Sequence, residues 1–116
     1  MSPVGRLRVV GPGGRLIAVV EEARTPWSRM VGLLGRASLA RGQGLLLAPA
    51  WSIHTWFMRF PIDVAHVDAE MKVLRITTMK PNRLGAVVWR ARAVIECEAG
   101  LLQHWGVAVG DQLEIR

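Results

Sequence analysis

The sequence predicts a mainly β (α+β) fold, a small sandwich or partly closed barrel with two short helices packed outside. Three observations carry this expectation. Runs rich in β-branched residues and bounded by Gly, Pro or Asp far outnumber helical runs. No regular β-helix-β alternation appears, which disfavours a doubly wound parallel sheet. The chain has 116 residues, 51% of them hydrophobic, with no repeat, long linker or low-complexity tract to divide them. Residues 1–116 are therefore expected to form one domain, with an N-terminal hairpin over 6–21.

Each element has its own signal. Arg6–Val10 and Leu16–Glu21 are joined by Gly11-Pro12-Gly13-Gly14, a hairpin pattern. Thr25 suits an N-cap, Pro26 the first helical position, and Gly35 a left-handed stop. Between them Trp27, Met30, Val31 and Leu34 recur at helical spacing. Gly32 inside this first helix costs about 1 kcal/mol relative to Ala, so it marks a close backbone approach. Leu45–Ala48 is a short buried strand stopped by Pro49. Ile53–Phe60 reads as a strand with His54, Trp56, Met58 and Phe60 on one face and Ile53, Thr55, Phe57 and Arg59 on the other. Pro61 ends it, because proline has no amide to donate. Ile62–Val67 and Met71–Thr78 flank Asp68-Ala69-Glu70 as a second hairpin. Val87–Trp89 and Ala93–Cys97 are further strand candidates. Glu98–Trp105 reads as a second short helix closed by Gly106, and Gln112–Ile115 as a last strand.

Composition narrows the function. The net charge of +6, from 15 basic and 9 acidic residues, favours anionic partners in general. The basic residues are scattered, and densest between Lys80 and Arg92. No stretch approaches the roughly 20 apolar residues a membrane span requires, so no membrane insertion is expected. The Gly11–Arg15 turn interrupts any secretory core after Arg6 and Arg8, which makes the cytoplasm the expected location. The lone Cys97 allows neither an internal disulfide nor a cysteine zinc site, and reads as a small buried apolar residue. No cofactor is indicated: Gly11-Pro12-Gly13-Gly14 lacks the Lys-Ser/Thr of a phosphate loop, and no serine stands in G-x-S-x-G.

The polar candidates lie in the most apolar part of the chain. Asp63 stands between Ile62 and Val64, directly after Pro61. A carboxylate there must be paired or hydrogen-bonded, because desolvating it alone is too costly. Arg29 and Arg59 are the expected partners, fixing the first helix to the sheet; the plainer alternative is a cap on turn amides. His54 can pair with Asp63 as acid and base across the Pro61 break, or simply pack a strand edge. His66 reads as a satisfied sheet histidine and His104 as a surface residue. The tryptophan-rich stretch around Trp51, Trp56 and Phe57 can stack on a ring, or fill a core.

These residues carry a resemblance. Ala23-Arg24-Thr25, Arg29, Gly32-Leu33-Leu34-Gly35-Arg36 and Gly44-Leu45-Leu46-Leu47 lead to the most specific block, Ser52-Ile53-His54-Thr55-Trp56-Phe57-Met58-Arg59-Phe60-Pro61-Ile62-Asp63-Val64. Glu96, Ala99-Gly100 and Val109-Gly110-Asp111 follow. The pattern resembles the prokaryotic domain-of-unknown-function family number one hundred and ninety-two, over about residues 23–115. The resemblance implies a mainly β domain with short helices and no assigned activity, substrate or cofactor. Relatives often carry an export signal, and an aromatic commonly stands where this chain has His66.

The expected function is a non-catalytic binding module for a small ligand, peptide or partner protein, with a groove near His54, Trp56 and Met58 and with Arg29, Arg59 and Asp63 as its polar residues. The alternative is a hydrolase-like or metal-assisted enzyme using His54 and Asp63, with Glu96 as a further candidate. A third reading is nucleic-acid binding through the basic surface. The sequence does not specify the oligomeric state.

Overall fold

The computed structural model describes residues 4–23, 44–50 and 60–116. Its elements are β1 (Val4–Val10), β2 (Leu16–Ala23), β3 (Gly44–Leu47), β4 (Ile62–Val67), β5 (Val73–Met79), β6 (Ala93–Glu98), the helix α1 (Leu101–His104) and β7 (Glu114–Ile115). The strands form one mixed sheet in the order β5-β4-β6-β3-β2-β1-β7. β2 and β3 run parallel, and the other strand pairs are antiparallel. The mainly β expectation therefore holds.

Both expected hairpins form. In the first, Gly11-Pro12-Gly13-Gly14 makes a tight turn in which the Gly11 amide donates to the Arg15 carbonyl at 2.8 Å. In the second, Asp68 organises the turn: its Oδ1 accepts from the amides of Glu70 and Lys72, both at 2.9 Å. These bonds, that from Lys72 first, hold its carboxyl below the usual range.

The sheet does not close into a barrel, but its ends are tied. Lys72 forms an isolated antiparallel bridge with Gln112. Around it the Val73 amide donates to the Asp111 carbonyl, the Gly110 amide to the Val73 carbonyl, and the Leu113 amide to the Met71 carbonyl. The enclosed side is apolar: Val9, Val20, Leu46, Ala65, Ile95, Leu102, Trp105 and Leu113 share one buried cluster. The void among them is about 10 Å³, room for about one water, so these side chains fill that cluster.

Two expectations change. Val87–Trp89 is not a strand. β4 already pairs with β5 and β6, and β6 with β4 and β3, so none of their edges is left to receive it. The second helix is shorter than Glu98–Trp105: Glu98 still pairs with Ile62, and Gly100, with φ of 94°, turns the chain left-handed before the helix begins. The first expected helix lies outside the described residues, as does the Ile53–Arg59 part of the expected strand. His104 is exposed, as expected.

Gly44 opens β3 where a backbone approaches closely. A Cβ there would stand 2.9 Å from the Glu96 carbonyl oxygen and 3.3 Å from both the Trp105 ring and Val20. The carbonyl belongs to a central ladder and cannot yield easily. Gly44→Ala is expected to lower stability by about 1–3 kcal/mol, the usual cost of overpacking, as read from chemical denaturation.

Candidate functional site

β6 lies between β4 and β3, and register alone decides which side chains share a face. Asp63 is opposite Cys97, and Val64 is opposite Glu96, which also faces Leu45 on β3. Successive residues of a strand point to opposite faces. Asp63 and Cys97 therefore point to the enclosed side. Glu96, with Leu45, Leu47, Ile62, Val64 and Val94, points to the other, which is also apolar and buried. All six residues of β4 are buried, so neither face is open to water there.

Among the described residues Asp63 holds the start of α1, while Arg29 and Arg59, its expected partners, lie outside them. Its Oδ1 accepts from the Thr78 hydroxyl at 2.7 Å, and its Oδ2 from the Gly100 amide at 2.8 Å and the Leu102 amide at 3.3 Å. Amides at the start of a helix have no intrahelical acceptor, so a buried carboxylate there satisfies both sides. This is the cap on turn amides that the sequence offered as its plainer reading. An open groove of about 410 Å³ passes over it, lined by Asp63, Ile76, Thr78, Leu102 and Gln103. The carboxylate on its floor is 4% exposed and already engaged.

Glu96 presents the opposite situation. It is 0% exposed, and neither carboxyl oxygen has a hydrogen-bond partner among the described residues. Burial pushes its carboxyl up to about 8. At neutral pH it is therefore mostly the protonated acid, a group that can both donate and accept. His66 lies on the same face, because it is opposite Val94 on β6 and stands diagonally from Glu96. By register the two are separated by roughly 7–8 Å. His66 is buried, and neither ring nitrogen has a partner among the described residues. Burial first, and the Arg75 guanidinium second, hold its imidazole below the ordinary histidine value, so it stays neutral.

Of the expected site residues, Arg29, His54, Trp56, Met58 and Arg59 lie outside the described residues. Asp63 and Glu96 are on opposite faces of the sheet and are not brought together. His66, expected to be a satisfied sheet histidine, has no partner for either ring nitrogen among the described residues. Its alternation with Ile62 and Val64 was the available signal, since that spacing sends its ring into the same apolar layer. Cys97 is buried as expected, and burial raises its thiol to about 12, which removes thiolate reactivity. No cluster of three or more His, Cys, Asp or Glu suited to a metal ion occurs among the described residues.

A family model described as DUF192, Uncharacterized ACR, matches residues 9–115. A UPF0127 protein of Pyrococcus abyssi is 40% identical over 63 residues, 54% of this chain and 54% of that protein. A UPF0127 protein of Pyrococcus horikoshii is 38% identical over 63 residues, 54% of this chain and 55% of its own. These matches thus span about half the length of each curated relative. Among solved structures, a Sinorhizobium meliloti protein described as a "putative transcription regulator" superposes with a TM-score of 0.77 at 25% identity, covering 98% of this chain and 95% of that one. A Novosphingobium aromaticivorans protein of unknown function gives 0.75 at 24% identity, covering 96% and 84%, a likeness of fold.

Two predictions follow from the buried groups. Asp63→Asn turns an amide N–H₂ toward backbone donors or loses the second acceptor oxygen. Stability should fall by about 1–3 kcal/mol, the cost of a buried donor left unpaired, as read by urea denaturation. For pH, Glu96 loses its proton near 4.5 in the unfolded chain and near 8 in the fold, so stability falls as pH rises between those values. His66, with its folded value depressed, acts in the opposite sense: the unfolded chain takes up its proton below 6.5, so stability falls there as pH drops. Above 6.5 the His66 contribution fades, and Glu96 contributes a falling slope of up to about 1.4 kcal/mol per pH unit that flattens near 8. Glu96→Gln should remove that slope in denaturation midpoints measured at pH 6.5, 7.25 and 8.

Proposed function

Because this chain belongs to the DUF192 family, we propose that it is a non-catalytic binding module for a small ligand, peptide or partner protein, anchored on the sheet face that carries Glu96 and His66. The observation that supports this reading best is the Glu96 carboxyl, fully buried in apolar surroundings with no hydrogen-bond partner among the described residues. A group in that position lowers stability, and a hydrophobic residue of similar size would be tolerated better. Its presence makes sense if the side chains over this buried face part to let a ligand polar group reach it. A neutral acid and a neutral imidazole together offer both donors and acceptors, a few fixed polar points in an apolar wall. His54, Trp56 and Met58 are the proposed lining on the sequence side, with Arg29 and Arg59 as polar companions.

The enzymatic alternative draws less support. It needs Asp63 as a working carboxylate, yet both its oxygens are engaged by Thr78 and the amides of Gly100 and Leu102. Glu96 points away from it. The third reading, nucleic-acid binding through the basic surface, has the net charge of +6 behind it. For this chain such binding would weaken steeply with added salt.

The test is a thermal-shift screen of small amides and imidazoles at pH 6.5, run on the parent and on Glu96→Leu. The leucine variant should be more stable when free, by about 1–3 kcal/mol, because an unsatisfied acid is gone. It should also lose the shift that a bound fragment gives the parent. A leucine variant no more stable than the parent, together with a parent that binds no fragment, sets the reading aside.

A further inference from the structure

The connection from β5 to β6 exposes what a loop normally hides. Leu84-Gly85-Ala86-Val87-Val88-Trp89 is a run of six apolar or small residues bracketed by Arg83 and Arg90. Leu84 is 74% exposed, Val87 48% and Trp89 77%. Three large apolar side chains exposed within one short run are disfavoured unless they meet something. Charge surrounds it. From Lys72 to Arg92 the chain carries six basic residues and no acidic one, as many positive charges as the whole protein's net +6. Arg75 and Arg90 line one shallow groove with Leu74, Val87 and Trp89. Arg90 also lines a second with Lys72 and Arg92. The acidic Asp68 and Glu70 line that second groove as well, and the charges of Arg90 and Lys72 act on Asp68, so cations outnumber acids there three to two.

The loop has a defined shape. The Ala91 amide donates to the Val88 carbonyl, the Arg92 amide to the Val67 carbonyl, and the Arg92 guanidinium to the carbonyls of Trp89 and Ala91. An ordered turn thus presents the apolar tip with cations around it.

We propose that this loop docks the protein on an anionic lipid bilayer, with Leu84, Val87 and Trp89 entering the headgroup layer while Arg75, Arg90 and Lys72 face lipid phosphates. Tryptophan and aliphatic side chains settle at that depth, and basic residues nearby are attracted by the negative surface. A nucleic acid strand would use Trp89 and the arginines but leave Leu84 and Val87 in water, so the bilayer accounts for more of the surface. The contact is peripheral: among the described residues no helix is long and apolar enough to cross a membrane.

The experiment is co-sedimentation of the full chain with vesicles of phosphatidylcholine alone, or with about one-third phosphatidylglycerol, at low and physiological salt. Binding is expected only with the anionic lipid and should weaken with salt. Arg75→Gln and Arg90→Gln should each reduce partition about fivefold, the factor that corresponds to about 1 kcal/mol per charge near the surface. Trp89→Ala should reduce it further and abolish a blue shift of tryptophan emission on vesicle addition. These positions are exposed, so unchanged melting temperatures will separate lost docking from lost folding. No binding to anionic vesicles, or binding that Trp89→Ala leaves intact, overturns the proposal. So does capture of a single-stranded oligonucleotide or self-association through Trp89 in place of vesicle binding.

Discussion

The arrangement depends on one buried carboxylate. Asp63 reaches from β4 to the Thr78 hydroxyl on β5 and to the amides of Gly100 and Leu102, joining three parts of the chain that are distant in sequence. Without an acceptor there, the start of α1 would present unpaired amides to an apolar interior. With it, α1 and the segment after it can lay Leu102, Trp105 and Val107 over the enclosed side of the sheet. A charge in a greasy setting is here the means by which the core is covered, and its surroundings supply enough donors to make it tolerable.

The same strand pair disposes of its second acid differently. One step along β6 from Cys97 the side chain turns to the opposite layer, and Glu96 meets leucine and valine in place of donors. Two carboxyls in neighbouring strands thus have contrasting chemistry: one is an engaged acceptor, the other a neutral acid at physiological pH. Composition cannot separate them, since both stand among β-branched residues. The ladder's parity separates them.

Local chemistry was legible in the sequence where it needed only neighbours. Gly11-Pro12-Gly13-Gly14 and Asp68-Ala69-Glu70 announce their turns, and the short run before Pro49 announces β3. That Asp63 must be bonded also followed from its apolar flanks. Its donors could not be read, because Gly100 and Leu102 become neighbours only through strand pairing and the turn into α1. The setting of Glu96 was hidden for the same cause: β3, β4 and β6 come together in an order that local patterning does not encode. Val87–Trp89 has the composition of a strand, but its neighbours β4 and β6 are already paired on both sides, so tertiary pairing overrode propensity. The positions Arg29, His54, Trp56, Met58 and Arg59 stay where the sequence left them, as residues of the recognisable block.

The Lys72–Gln112 bridge affects how the protein behaves in a crowd. Bare edge strands invite strangers to add on, the first step toward cross-β stacking. Here residues 110–113 already occupy the entry of β5, using the carbonyl and amide groups of Val73 that an intruding chain would seek. The chain shields that part of its border with its own C-terminal segment. Copies that meet there must first displace several hydrogen bonds, which steers encounters toward side-chain surfaces and away from backbone templating.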